Sequence, residues 1–264
     1  MNYHDEYQQS IEQPEIFWRK QAEQIKWYEF PETILSQDEH GFYRWFAGGK
    51  LNTSYLALDV HIEEGRGDQL ALVYDSPVAN MQQKFTYAEL QDTVAKFAGC
   101  LRNLGVEKGN RVIIYMPMIA EAVIAMLACA RLGAVHSVVF GGFAPNELAV
   151  RIDDAKPKVL VTSSCGIEFT KIIEYKPLVD KALEVSKFPP ENIVVLQRPQ
   201  AKATMQSGRD HDWNELMSQA SPADPVSLDA TDPLYILYTS GTTGLPKGVV
   251  RDKGGHAVAL KYSM

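Results

Sequence analysis

From Leu70 onward the sequence alternates short apolar runs with segments of helical spacing, and this alternation restricts the possible folds more than any other feature. Runs rich in Val, Ile and Tyr, bounded by Gly and Pro, read as strands. Strands that alternate with helices form a mainly parallel sheet covered on both faces. Residues 70–74, 111–116, 134–140, 158–162, 192–196 and 234–238 supply the strands. Thr86 and Glu89 stand at capping-box spacing, so a helix is expected to start at Thr86 and to stop near Gly105, where glycine accepts the left-handed C-cap. Residues 119–131 read as a largely apolar helix, and Pro145 is placed to open another that runs towards Ala155. Further helices are expected at 177–186 and 213–217. The expected fold class is α/β, a doubly wound, mainly parallel sheet with covering helices.

The first 69 residues lack this alternation. Ile16, Phe17, Ile25 and Tyr28 have the spacing of an amphipathic helix, and Leu51, Tyr55 and Leu58 follow a Gly48-Gly49 turn at helical spacing. Residues 1–69 are therefore expected to be a helical segment, and residues 70–264 the sheet domain. The 264 residues contain 26 Lys plus Arg against 33 Asp plus Glu, a formal charge of −7. That balance disfavours nucleic acid and leaves small molecules as the expected partners. The longest apolar run, 122–130, is well short of the roughly 18–20 residues that cross a bilayer, so no membrane partner is expected. The amino terminus shows neither a signal-peptide nor a transit-peptide pattern, which makes the location cytoplasmic by expectation. Cys100, Cys129 and Cys165 have no second Cys or His at zinc spacing; they read as buried reduced thiols, and no metal site is expected.

The chemistry concentrates near residue 240. The apolar strand 234–238 runs directly into Thr239-Ser240-Gly241-Thr242-Thr243-Gly244-Leu245-Pro246-Lys247-Gly248. Gly241, Gly244 and Gly248 let backbone N–H groups turn outward without side chains in the way. Thr239, Ser240, Thr242 and Thr243 add hydroxyl donors, and Lys247 adds a positive charge. Such a loop suits a polyphosphate. It is not a Walker A loop, because Lys247 follows Pro246 and precedes Gly248. The strand itself, apolar along its length, is expected to be buried with neighbours on both sides.

Residues 239–248 resemble the phosphate loop of the adenylate-forming superfamily, which includes acyl-CoA synthetases, luciferases and peptide-synthetase adenylation domains. FTYAEL at 85–90 and ACARLGAVHSVVFGG at 128–142 resemble earlier core motifs of that superfamily, in the same order. WFAGGKLN at 45–52 is similar to the N-terminal segment of the acetyl- and propionyl-CoA synthetase branch. SSCGIE at 163–168 and GLPKGVVRDKGGH at 244–256 look more like the propionyl-CoA synthetases. The resemblance implies that residues 1–69 are the branch's N-terminal segment and that 70–264 are the first part of the AMP-binding domain. Only 16 residues follow Gly248. The expectation is an N-terminal fragment, inactive alone, with the adenine motif, acid pocket and a catalytic lysine lying downstream.

The reaction so implied has two steps. A short-chain carboxylate, propionate favoured, attacks the α-phosphorus of ATP, and the thiol of coenzyme A then displaces AMP. ATP with its Mg²⁺ and coenzyme A are the implied cofactor and co-substrates. Lys247 would offset charge on the leaving pyrophosphate as the catalytic residue, while Thr239, Ser240, Gly241, Thr242, Thr243, Gly244 and Gly248 would hold the β- and γ-phosphates. For coenzyme A, Gly142 matches a glycine past which the pantetheine runs. Glu168, Phe169, Thr170 and Lys171 match a site where acetyl-CoA synthetases carry two arginines. Here Glu168 replaces the first and only Lys171 keeps a positive charge, so the contacts are shifted or Glu168 takes the adenine or ribose. Acetate or acetoacetate as the acid, and a non-catalytic nucleotide- or partner-binding half-domain, remain as alternatives. Adjacent Asp153 and Asp154 point about 100° apart on a helix and make no catalytic pair. His136 and His256 lack partners at ligand spacing and read as structural.

Overall fold

The computed structural model describes residues 2–239 and 246–264. Its centre is a seven-stranded sheet. In chain order the strands are β1 (Arg111–Tyr115), β2 (Val135–Val138), β3 (Val159–Ser163), β4 (Asn192–Leu196), β5 (Asp210–Asp212), β6 (Pro233–Thr239) and β7 (Lys247–Asp252). Their order across the sheet is β5-β4-β3-β1-β2-β6-β7. All neighbours run parallel except β6 and β7, which form an antiparallel hairpin at one edge.

Strand side chains alternate between faces, and the two cores follow that alternation. Val112, Ile114, Val159, Val161, Val194 and Leu196 pack with the helices Tyr87–Asn103 and Ala120–Leu132. Ile113, Tyr115, Leu160, Ile193 and Val195 pack with the helices Pro145–Ala155 and Tyr175–Val185. The sheet is therefore doubly wound, as the sequence leads one to expect. The capping box at the head of Tyr87–Asn103 has both of its bonds, Thr86 N to Glu89 Oε2 at 2.9 Å and Glu89 N to Thr86 Oγ1 at 3.2 Å. The three cysteines are free and buried. No helix among the described residues is long and apolar enough to cross a membrane.

Three expectations need correction. Leu70–Ser76 is a strand, but it pairs with Met81–Thr86 in a separate hairpin and takes no part in the central sheet. One face of this hairpin, with Leu72, Tyr74 and Phe85, packs on the main core, whereas Leu70 and Val73 are more than half exposed and Val73 pairs in register with Lys84. The final strand has neighbours on both sides, β2 and β7, yet it is not buried along its length: Leu237 is 53 % exposed. It lies one strand from the edge, where the helical cover thins. Finally, residues 1–69 are not purely helical. Helices Tyr3–Glu12 and Pro14–Ala22 precede a hairpin of Thr33–Gln37 with Tyr43–Ala47, and a turn of π-helix at Tyr55–Asp59 replaces the regular helix expected there.

This amino-terminal part is locked on by polar groups as well as by apolar ones. Phe17 meets Tyr262 edge-on, with ring centres 5.3 Å apart. The buried Asn52 donates to the backbone oxygens of Ala130, Arg131 and Val226. Lys50–Leu51 pairs with Leu228–Asp229. The buried Arg131 guanidinium forms a two-point contact with Asp59, at 2.8 and 3.0 Å, and its Nε donates to Ala223 O.

The loop that brings Ala223 there crosses the helix Tyr87–Asn103 so closely that a Cβ on Gly99 would overlap the backbone oxygen of Ser221. Gly99→Ala is expected to destabilise the chain by about 1–3 kcal/mol, despite a helix-propensity gain of about 1 kcal/mol, because a backbone carbonyl cannot step aside as a side chain can. The urea midpoint measures it; an unchanged or raised midpoint would show that the crossing loop yields.

Candidate functional site

The helix that follows β1 covers one face of the sheet and the helix that follows β2 covers the other, so the chain diverges at the carboxyl ends of these two strands. Open α/β sheets take ligands in the crevice this divergence makes. Three segments converge on it. The 140–143 turn leaves β2, closed by Phe143 N donating to Phe140 O at 3.1 Å. A hairpin of Cys165–Glu168 with Lys171–Glu174 follows β3. Thr239 ends β6, the parallel neighbour of β2.

The phosphate-loop candidates fall into two groups. Thr239 and Lys247 face each other in register across the β6–β7 hairpin, with Thr239 Oγ1 donating to Lys247 O at 3.5 Å; Gly248 pairs with Tyr238. Thr239 and Lys247 thus end the two paired strands of an antiparallel hairpin, and Lys247 is exposed there. Ser240, Gly241, Thr242, Thr243 and Gly244 lie outside the described residues.

The two segments that carry the coenzyme A candidates meet at a tyrosine that the sequence does not single out. A Cβ on Gly141 would overlap the Tyr175 hydroxyl, and one on Gly166 would stand 2.6 Å from it, so these glycines let Tyr175 sit between the 140–143 turn and the hairpin. The Tyr115 ring lies beside it, tilted by 39° with ring centres 5.1 Å apart, and its hydroxyl donates to Phe143 O at 2.8 Å. Burial, and then the Glu168 carboxylate, hold the Tyr175 phenol above its ordinary pKa. Glu168 and Lys171 pair in register at the hairpin end, with Phe169 and Thr170 forming the turn. Phe169 adopts φ 53° and is 91 % exposed. Gly142 has a local reason to be glycine, since a Cβ there would stand 2.6 Å from Cε1 of Phe140. The only signal for Tyr175 was the pair of glycines it touches, far apart in sequence.

Asp153 and Asp154 part as expected, but neither is idle. Asp153 accepts from the backbone of Lys187 and Phe188, and Asp154 accepts from the Tyr238 hydroxyl. His136 and His256 both lie against the Tyr235 ring, at 5.7 and 5.3 Å, and burial lowers the pKa of each, that of His136 to about 3. A cleft of about 670 Å³ opens beside them between Trp18, Trp45, Arg251 and His256. It lies at the amino end of β6, whereas the convergence of loops is at the carboxyl ends, and the fold's crevice rule favours the latter.

The family model described as AMP-binding enzyme matches residues 60–263. The chain belongs to the AMP-binding enzyme family. A second model, described as the acetyl-coenzyme A synthetase N-terminus, matches residues 3–57. Among relatives, an uncharacterised protein of Pseudomonas aeruginosa is 60 % identical over 264 residues, covering all of this chain and 42 % of its own length. The mitochondrial acyl-CoA synthetase short-chain family member 3 of Homo sapiens is 51 % identical, with 99 % of this chain and 38 % of its own covered. The propionate–CoA ligase of Escherichia coli is 46 % identical, with 100 % and 42 % covered. The solved acetoacetyl-CoA synthetase of Streptomyces lividans superposes with a TM-score of 0.88 at 28 % identity, over 99 % of this chain and 40 % of that one. The chain thus spans about two fifths of the length of these AMP-binding relatives.

Proposed function

We propose that this chain is the N-terminal part of an AMP-forming short-chain acyl-CoA synthetase, with propionate as its preferred acid. The observation that carries this reading is the arrangement of Thr239 and Lys247 at the tip of a hairpin beside the 140–143 turn, in a chain matched along nearly its whole length by the two family models. The identity to a propionate–CoA ligase, and the SSCGIE and GLPKGVVRDKGGH segments, favour propionate over acetate or acetoacetate.

In the first step Lys247 faces the leaving pyrophosphate and offsets its growing charge, while Thr239 and the loop it starts hold the β- and γ-phosphates. Catalysis of this kind is positioning and charge neutralisation. The hydroxyl and ammonium groups at the hairpin suit phosphate oxygens, and magnesium would arrive on ATP. In the second step the thiol of coenzyme A approaches past Gly142, with its nucleotide end near Glu168, Phe169, Thr170 and Lys171. Glu168 cannot hold a phosphate, so Lys171 carries that contact and Glu168 accepts from the ribose or adenine. The same reading places the enzyme with its soluble co-substrates in the cytoplasm.

The test supplies the full-length protein with ATP, coenzyme A and propionate, acetate, butyrate or acetoacetate, and follows acyl-CoA and nucleotide by chromatography. Propionyl-CoA with AMP and pyrophosphate is expected, and residues 1–264 alone should stay at background. ADP as the product would overturn the mechanism, a faster reaction with another acid the preference, and turnover by 1–264 the assignment of essential groups downstream.

A further inference from the structure

The helix Pro145–Ala155 carries a set of contacts for which the reaction above has no use. Arg151 is 6 % exposed, and its Nη1 donates to the Glu147 backbone oxygen at 2.6 Å and to the Glu147 carboxylate at 2.9 Å. With its charge answered inside the helix, the guanidinium lies 4.6 Å from the centre of the Phe143 ring and 5.5 Å from that of Tyr238. Phe143 closes the 140–143 turn, and Tyr238 immediately precedes Thr239. Three residues on, and so on the same side of the helix, the Asp154 carboxylate accepts the Tyr238 hydroxyl at 2.6 Å. Burial, and then Asp154, raise the pKa of that phenol, which keeps the donor protonated at any working pH.

Gly248 fits into the same arrangement. It lies in register opposite Tyr238, and a Cβ there would stand 3.1 Å from Cε1 of Tyr238 and 3.5 Å from Oδ2 of Asp154. A side chain at 248 would press the ring away from its acceptor. The glycine therefore serves the tyrosine's reach as well as the loop's turn.

We propose that Arg151 and Asp154 are positioning residues that set the phosphate hairpin against the 140–143 turn, with the helix Pro145–Ala155 as their common support. The functional consequence rests on the synthetase reading. One site must hold a polyphosphate while the carboxylate attacks the α-phosphorus in the first step and direct a thiol at the acyl carbon of the adenylate in the second, and a misplacement of about 1 Å can cost about 10²-fold in rate. Asp154 fixes the first loop through Tyr238. Arg151 touches both loops, and its planar group, which can stack on two rings, has no equivalent in lysine.

The test uses the full-length synthetase and measures the half-reactions separately, the second with supplied propionyl-adenylate. Tyr238→Phe and Asp154→Asn should each lower kcat/KM for ATP in adenylation about tenfold, and the double variant should fall no further than either single one. The thioester step should lose less than about twofold in these variants, since their target is the phosphate hairpin alone. Arg151→Lys, which keeps the charge, should slow both steps. Wild-type adenylation in Tyr238→Phe and Asp154→Asn, additive losses in the double variant, or an Arg151→Lys enzyme altered only in melting temperature would overturn the proposal. If the parent protein made no acyl-CoA at all, the synthetase reading would fail by itself, and the support would be read from amide hydrogen exchange in the full-length protein. There Tyr238→Phe and Asp154→Asn should speed exchange in β7 but not in β4; unchanged exchange in β7 would sink it.

Discussion

Lys247→Ala in the full-length protein should slow adenylate formation by about 10²–10³ while leaving the thioester step close to its original rate. Negative charge builds on pyrophosphate only in the first transition state, and one charged donor aimed there is worth about 2.7–4 kcal/mol. Lys247 stands at the base of the β6–β7 hairpin, exposed and in register with Thr239, so its removal leaves no cavity behind. Single-turnover measurements separate the two steps, the second started from synthetic propionyl-adenylate. Equal losses in both would mean that Lys247 supports the hairpin instead of the phosphate chemistry, and its catalytic role would have to be withdrawn.

The largest loss of stability is expected from Arg131→Ala. The guanidinium is 2 % exposed, its forked contact with Asp59 is a polar link between the π-turn Tyr55–Asp59 and the main body, and its Nε donates to Ala223 O. Breaking a buried pair by removing one partner costs about 3–5 kcal/mol, and since 15 % of the Asp59 side chain is exposed, the lower end of that range is expected. Gln91 also donates to Asp59, at 3.1 Å, and would offset only part of this. Chemical denaturation of the single variant and of Arg131→Ala with Asp59→Ala measures it. The double variant should cost clearly less than the sum of the single ones; additive losses would show that the two side chains act independently.

What the sequence revealed was what it stores locally. The Thr86–Glu89 capping box, Pro145 at a helix start, and the runs that become β1, β3 and β4 each depend on residues a few positions apart, and each has its predicted element. Pairing partners are not stored that way. Leu70–Ser76 and Val159–Ser163 both read as strands, and only the tertiary setting sends one to an outlying hairpin and the other to the centre of the sheet. β7 has no sequence pattern of its own, because Val249 and Val250 are only two apolar residues between Gly248 and Arg251, held as a strand by β6 across the hairpin. At the candidate site, the hydroxyls, glycines and Lys247 were legible from their order. Tyr175 between Gly141 and Gly166, and Asp154 beneath Tyr238, were not, since each joins segments widely separated along the chain.

The anchorage of the amino-terminal part has a consequence for how such a chain is made. Asn52 donates to Val226 O across 174 residues of sequence, and Lys50–Leu51 finds its strand partner at Leu228–Asp229. A ribosome adding about 5–20 residues per second therefore leaves those groups waiting roughly 10–35 seconds for their partners. Throughout that interval Ile34, Phe46 and Leu51 lack the Ala230 and Val258 that complete their core. This early-made segment is thus sealed late, and its apolar side chains stay open to chaperones, or to neighbouring nascent chains, until the phosphate hairpin and the helix after it have been translated.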